Sequence, residues 1–282
     1  MDMRYFDAHT HVNFAAFSED ADAVIARARG CGTGMNIVGT QLETSRAALA
    51  LAERHDGVYA TVGLHPIHTS RSYHDEQELG VGGAKAFTSR GEEFDPLAYE
   101  ELARSAKVIA IGECGLDYYR LDEHSRARQE AAFIEQIELA NRLDKPLMLH
   151  IRSTQTAGEA HAYADALALV KAHASVKGNV HFFAGTWDDA KQFLELGFTL
   201  SFTGVITFAR DYDDVVRNAP LDMLLSETDA PYVSPAPYRG KRNEPAYVVE
   251  VVRAIARIRG EEEQKVAAQL MENARRMFSL RQ

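Results

Sequence analysis

Two cysteines and one tryptophan are all that the 282 residues hold of those types. Cys31 and Cys114 are too few to build a disulfide framework, and such a count suits a reducing compartment. Positive charge is also scarce. Lys plus Arg is 31 against 41 Asp plus Glu, a net charge of −10. That balance argues against a protein that coats duplex nucleic acid, because such binding comes from Lys and Arg neutralising phosphates. It leaves open a phosphodiester met at one local site, since bound divalent cations can reverse the sign of the field there. No apolar run approaches the ~20 residues needed to cross a bilayer. The opening segment is strand-like, with no basic stretch followed by an apolar one, so no secretory leader and no membrane partner are expected. The expected compartment is the cytoplasm. No low-complexity tract or internal repeat is visible, and nothing points to an obligate protein partner.

What is present is a regular alternation. Short, β-branched apolar runs fall at 4–12, 34–40, 58–64, 107–113, 146–151, 179–184, 199–203 and 223–227. Amphipathic stretches lie at 20–30, 43–55, 124–143, 158–173, 187–196 and 212–218, and two more close the chain at 244–259 and 261–278. In 124–143, Phe133, Ile134, Ile137 and Leu143 share one stripe with charges opposite. Strands separated by helix-length segments are parallel βαβ units, because parallel neighbours need long crossovers. Eight units favour a closed (β/α)8 TIM barrel over an open sheet, where about five or six strands are usual. The length suits one such domain over 1–282, with 46% hydrophobic residues to fill it. The irregular segment 70–95 is rich in Gly, Ser and Glu and reads as a loop, or a short extra helix, inserted after the third strand.

Nearly every candidate strand ends, at its carboxyl side, in a residue able to hold a metal or a phosphate, and barrel sites lie on that face. The first ends in Asp7-Ala8-His9-Thr10-His11. Two histidines two apart on a strand share a face, and imidazole is a common ligand for divalent first-row metals. The third strand leaves His65 at its mouth, stopped by Pro66. The fourth carries Glu113 after a wholly apolar run, and a carboxylate placed there needs a cation partner. A metal, or a lysine or arginine, could be that partner. Cys114 should point the other way, into the core. The fifth ends in His150 and Arg152 on one face, the sixth in His181 and the eighth near Asp229. Taken singly, each admits an ordinary structural reading. Six ligand-type residues on the same end of five strands do not. The other histidines, His55, His68, His74, His124, His161 and His173, fall on helices or loops and are expected in solvent, with His68 closest to the mouth.

With these residues in view, the chain resembles the TatD family of metal-dependent deoxyribonucleases, within the amidohydrolase superfamily. The matching stretches are FDAHTHV at 6–12, VGLHP at 62–66, AIGECGLDYYR at 110–120, LMLHIRS at 147–153, HFFAG at 181–185, SETDAP at 226–231 and RGKRNEP at 239–245. The resemblance implies that His9, His11 and Asp229 hold one metal and that His150 and His181 hold the other, with Glu113 bridging both. It implies that His65 and Arg152 face the substrate phosphate. Asn243 and Glu244 would fix the geometry of the last loop. Three departures border the substrate path: the pair Phe182 and Phe183 after the sixth-strand histidine, Ile67 before His68, and the long 70–95 insertion.

The activity so implied is hydrolysis of a phosphodiester at a nucleic-acid 3′ end, with single-stranded DNA ends as the expected partner. Two divalent ions, Mg2+, Mn2+ or Zn2+, would lie ~3.5–4 Å apart. Glu113 and Asp229 would be the catalytic carboxylates, with Asp229 taking the proton of the attacking water. The same ions could instead serve an amide or ester hydrolase such as an aminoacyl-tRNA deacylase, or simply stabilise a non-catalytic scaffold.

Overall fold

In the computed structural model, eight parallel strands follow one another around a nearly closed barrel in chain order. The description covers residues 3–71, 73–74, 87–88, 91–119, 125–154 and 161–280. The barrel strands are β1 (Tyr5–Thr10), β2 (Thr33–Val38), β3 (Val58–Val62), β4 (Val108–Asp117), β5 (Leu147–Arg152), β6 (Gly178–Val180), β7 (Thr199–Phe202) and β8 (Leu224–Ser226). The helices are α1 (Ala21–Gly30), α2 (Leu42–Arg54), α3 (Pro96–Ala103), α4 (Ser125–Leu143), α5 (Ala162–His173), α6 (Trp187–Glu195), α7 (Asp213–Asn218), α8 (Val248–Arg259) and α9 (Glu263–Phe278). The (β/α)8 expectation holds. Each expected strand is present, although β6 and β8 are shorter than their apolar runs and β4 continues four residues beyond Glu113.

Two differences concern the inserted segment. Helix α3 was not read from the sequence, yet its start carries a plain signal. Pro96 sits at the first helical position, and the Asp95 carboxylate accepts from the N–H groups of Leu97 and Ala98 at 3.1 and 3.2 Å. Within 70–95, Tyr73–His74 pairs antiparallel with Phe87–Thr88, where a loop or helix was expected. Residues 72, 75–86 and 89–90 of that insertion, like His124, lie outside the described residues.

Period-two alternation sends one set of strand side chains outward to the helices and the other into the barrel. Met35, Ile37, Val62, Leu147, Leu149, Val180, Leu200 and Leu224 join the outer core. Phe6, Ala8, Ala110, Met148 and Leu225 cluster with Met271 and Phe278 of α9, which plugs the N-terminal end. Alternation alone would then turn His9 and Glu113 outward. Two β-bulges prevent this. The β1–β2 register slips between Asp7 and Thr10, and the β4–β5 register slips between Gly112 and Cys114. One extra residue in a strand re-aims every side chain after it. The imidazoles of His9 and His11 and the carboxylate of Glu113 therefore face the mouth, while Cys114 is fully buried in the outer core.

The first and last strands close the barrel without an ordinary ladder. The buried Asp7 carboxylate accepts from the N–H and hydroxyl of Thr228 at 2.8 and 2.5 Å. Beyond the strand ends, the Asp229 N–H donates to the His9 carbonyl at 2.9 Å and the His11 N–H to the Ala230 carbonyl at 2.7 Å. The seam thus fixes Asp229 beside the two histidines.

Candidate metal centre

Glu113 is the centre of the arrangement, 2% exposed. Its two oxygens serve different sides. Oε2 lies 3.4 and 3.7 Å from Nε2 of His9 and His11. Oε1 lies 3.0 Å from His150 Nδ1, 2.9 Å from His181 Nε2 and 3.3 Å from His65 Nε2. On the first side, Asp229 Oδ1 stands 3.9 and 3.4 Å from the same nitrogens of His9 and His11. Among the described residues no lysine or arginine comes within ion-pair distance of Glu113 or Asp229, so the cation partner required by a buried carboxylate is neither of these side chains.

The ring nitrogens show which atoms are free to bind. His11 Nδ1 lies 2.9 Å from the Val38 carbonyl, so it carries the proton and leaves a lone pair on Nε2. That lone pair faces His9 Nε2 at 3.1 Å, an approach that needs a proton or a cation between them. His150 pairs its Nε2 with Asp117 Oδ2 at 2.8 Å and turns Nδ1 to the centre. His181 pairs its Nδ1 with Glu227 Oε1 at 3.2 Å and turns Nε2 inward. Carboxylates behind histidines in this way fix the tautomer and raise ligand basicity. Glu227 is itself held by the Phe182 N–H at 2.7 Å and the Ser201 hydroxyl at 2.6 Å. This donor set of imidazoles and carboxylates fits divalent metal ions. His9, His11 and Asp229 form one candidate cluster, His65, Glu113 and His150 a second, and His9, His181 and Glu227 a third.

His65 differs from the other four. Its Nδ1 accepts the Ile67 N–H at 3.1 Å, so a neutral ring holds its proton on Nε2 and is a donor, not a ligand. Burial pushes its pKa down to about 4, and that of His9 to about 3, so both rings are neutral at pH 7. Burial disfavours charge on His150 too, but its hydrogen bonds to Asp117 and Glu113 outweigh that and raise it.

Every residue expected at the site except Arg152 meets Glu113 directly or through the same pair of histidines. Arg152 ends β5, half-buried, its guanidinium 3.8 Å above the Tyr119 ring. Asn243 donates to the carbonyls of Thr228 and Tyr232 at 2.9 and 2.6 Å, and Glu244 takes a two-pronged bond from Arg27 at 2.8 and 2.9 Å. Both shape the last loop. His68 is a correction: it is 7% exposed, not in solvent. The turn Pro66–Thr69 folds it edge-on to His65 at 6.0 Å, and Glu92 returns over it with an N–H bond to its carbonyl.

Asp117 and Glu227 were missed as functional residues. The signal was available, because each is a carboxylate at the end of an apolar strand, as Glu113 is. Replacing Asp117 by Asn should weaken metal binding about 10–100-fold while leaving the fold intact. Metal titration of the purified variant checks this, and an unchanged affinity would mean that His150 needs no orienting partner.

Known proteins resemble the chain over nearly its whole length. The chain is 34% identical to the 3′-5′ ssDNA/RNA exonuclease TatD of Klebsiella pneumoniae, covering 98% of each. It is 33% identical to the metal-dependent hydrolase YabD of Bacillus subtilis, over 98% of this chain and 99% of the relative. The crystal structure of YjjV, a TatD homologue from Escherichia coli K12, superposes with a TM-score of 0.81 at 29% identity, covering 100% of both chains. The family profile of TatD related DNase matches residues 6–279, spanning all the strands that bear these side chains, and the chain belongs to that family.

Proposed function

We propose that this chain is a metal-dependent nuclease that removes nucleotides from the 3′ end of single-stranded DNA, using two divalent ions that His9, His11, Glu113, His150, His181 and Asp229 would hold. The observation that carries this is the division of the Glu113 oxygens between two histidine pairs, with Oε2 toward His9 and His11 and Oε1 toward His150 and His181. Its relatives' hydrolase and exonuclease names support the reaction class.

Bound divalent ions would supply Lewis acidity, lowering the pKa of water and polarising the phosphoryl oxygen. Asp229, beside the first pair and 8% exposed, accepts the proton of the attacking water and returns it to the leaving 3′ oxygen of the shortened strand. His65 offers its Nε2–H, and Arg152 its planar fork, to the non-bridging oxygens. Stacking on Tyr119 holds the Arg152 plane in one orientation. The two free cysteines are consistent with work in the cytoplasm, and no helix among the described residues is long and apolar enough to cross a membrane.

The test is release of labelled 3′ nucleotides from single-stranded DNA before and after chelation. Chelator should abolish release, and Mg2+, Mn2+ or Zn2+ should restore it, with elemental analysis returning two ions per chain. Release indifferent to chelation, or release of an amino acid from aminoacyl-tRNA in place of nucleotides, would overturn the assignment.

A further inference from the structure

Among the described residues only two large apolar side chains are exposed, Leu97 at 80% and Phe208 at 42%. Leu97 lies in the first turn of α3. Phe208 lies just after β7, on the barrel face that bears the metal centre, and it is not bare. The Arg239 guanidinium stands 4.1 Å above its ring. Arg239 also donates to the Ser234 carbonyl at 3.4 Å. Among the described residues neither Arg239 nor its neighbour Lys241 has a carboxylate within ion-pair distance, although the chain carries ten more acids than bases. Two cations left unneutralised on an acidic protein are available to an anion from outside.

The platform spans two loops packed together, one of which carries Asp229. A Cβ on Gly204 would lie 2.5 Å from the Val233 carbonyl, so the loops after β7 and β8 are in direct backbone contact. The Ala236 N–H bonds to the Thr207 hydroxyl at 2.8 Å. The second of these loops begins after Ser226 and is anchored by Asn243. A flat, partly open ring topped by a planar cation suits a nucleobase, and the free N–H edges suit its phosphate.

We infer that Phe208 and Arg239, with Lys241 beside them, form a stacking platform that binds the single-stranded substrate on the 5′ side of the scissile phosphate. This rests on the nuclease reading above. Steady-state kinetics of the metal-loaded enzyme should compare a decanucleotide with a dinucleotide and bis(p-nitrophenyl) phosphate, neither of which carries a second nucleotide on the 5′ side for the platform to hold. Phe208→Ala should raise KM for the decanucleotide about tenfold at unchanged kcat, because one base loses its stacking partner. Phe208→Trp should restore it. Arg239→Ala should also lower the salt dependence of that KM by about one charge. Both variants should treat the two short substrates as the parent enzyme does. Equal losses on long and short substrates, or no loss on the decanucleotide, would overturn the platform and leave the nuclease reading standing. A parent enzyme that cleaves none of the three would overturn the nuclease reading, and the platform with it.

Discussion

Glu113→Gln should lower nuclease activity by at least ~10³-fold, the scale on which loss of one preorganised electrostatic group is felt, and more if both ions depart. Glutamine keeps the volume of glutamate but not the charge, and among the described residues no lysine or arginine stands near Glu113. Its five neighbours are all imidazole nitrogens. The loss should therefore fall on metal binding and not on folding. On adding Mn2+ or Zn2+ the parent should be stabilised by ligand binding to the folded state, and the variant much less. Calorimetry with and without metal, beside an activity assay, separates these outcomes. A variant that keeps the parent's metal content and rate would show that the carboxylate only fills space.

Gly115→Ala should be the most damaging single methyl group near the centre. Gly115 pairs with His150 across the β4–β5 ladder, and its φ of +137° is one that side chains rarely adopt. A Cβ there would lie 2.1 Å from the His150 carbonyl, which is backbone and cannot swing aside. Overpacking together with a disfavoured φ costs about 3 kcal/mol or more. For a chain of this size that lowers Tm by roughly 5–10 °C. Activity should fall further than stability, because moving His150 by ~1 Å can cost ~10²-fold in rate. Gly30→Ala is the control. Nothing lies within 4 Å of its Cβ, and it sits at the end of α1, so both melting and turnover should hold. If Gly115→Ala matched that control, the crowding around His150 would not be a constraint on the site.

How much of this could be read from the sequence follows from what each feature depends on. Chemistry-bearing residues at strand ends are visible because a polar residue terminating an apolar run is unusual in one dimension. His9, His11, Glu113, His150, His181 and Asp229 were all found in that way, and the alternation of strands and helices set the barrel. The bulges at Asp7–Thr10 and Gly112–Cys114 were not visible, since register is a relation between two strands. Asp117 and Glu227 were quoted within motifs but given no part to play. Their part exists only through the rings of His150 and His181, 33 and 46 residues away in the chain. His68 was misplaced for the same reason, as its cover comes from residues beyond an insertion.

The way the barrel shuts has a consequence for biosynthesis. Asp7 and Thr228 are 221 residues apart, and the clasp they form is what sets Asp229 next to His9 and His11. While a ribosome is still making the middle of the chain, the two early histidines have no third ligand and no wall opposite them. A tight grip on an ion at that side can form only after the eighth strand has emerged and docked, so cofactor capture reports that the fold is finished.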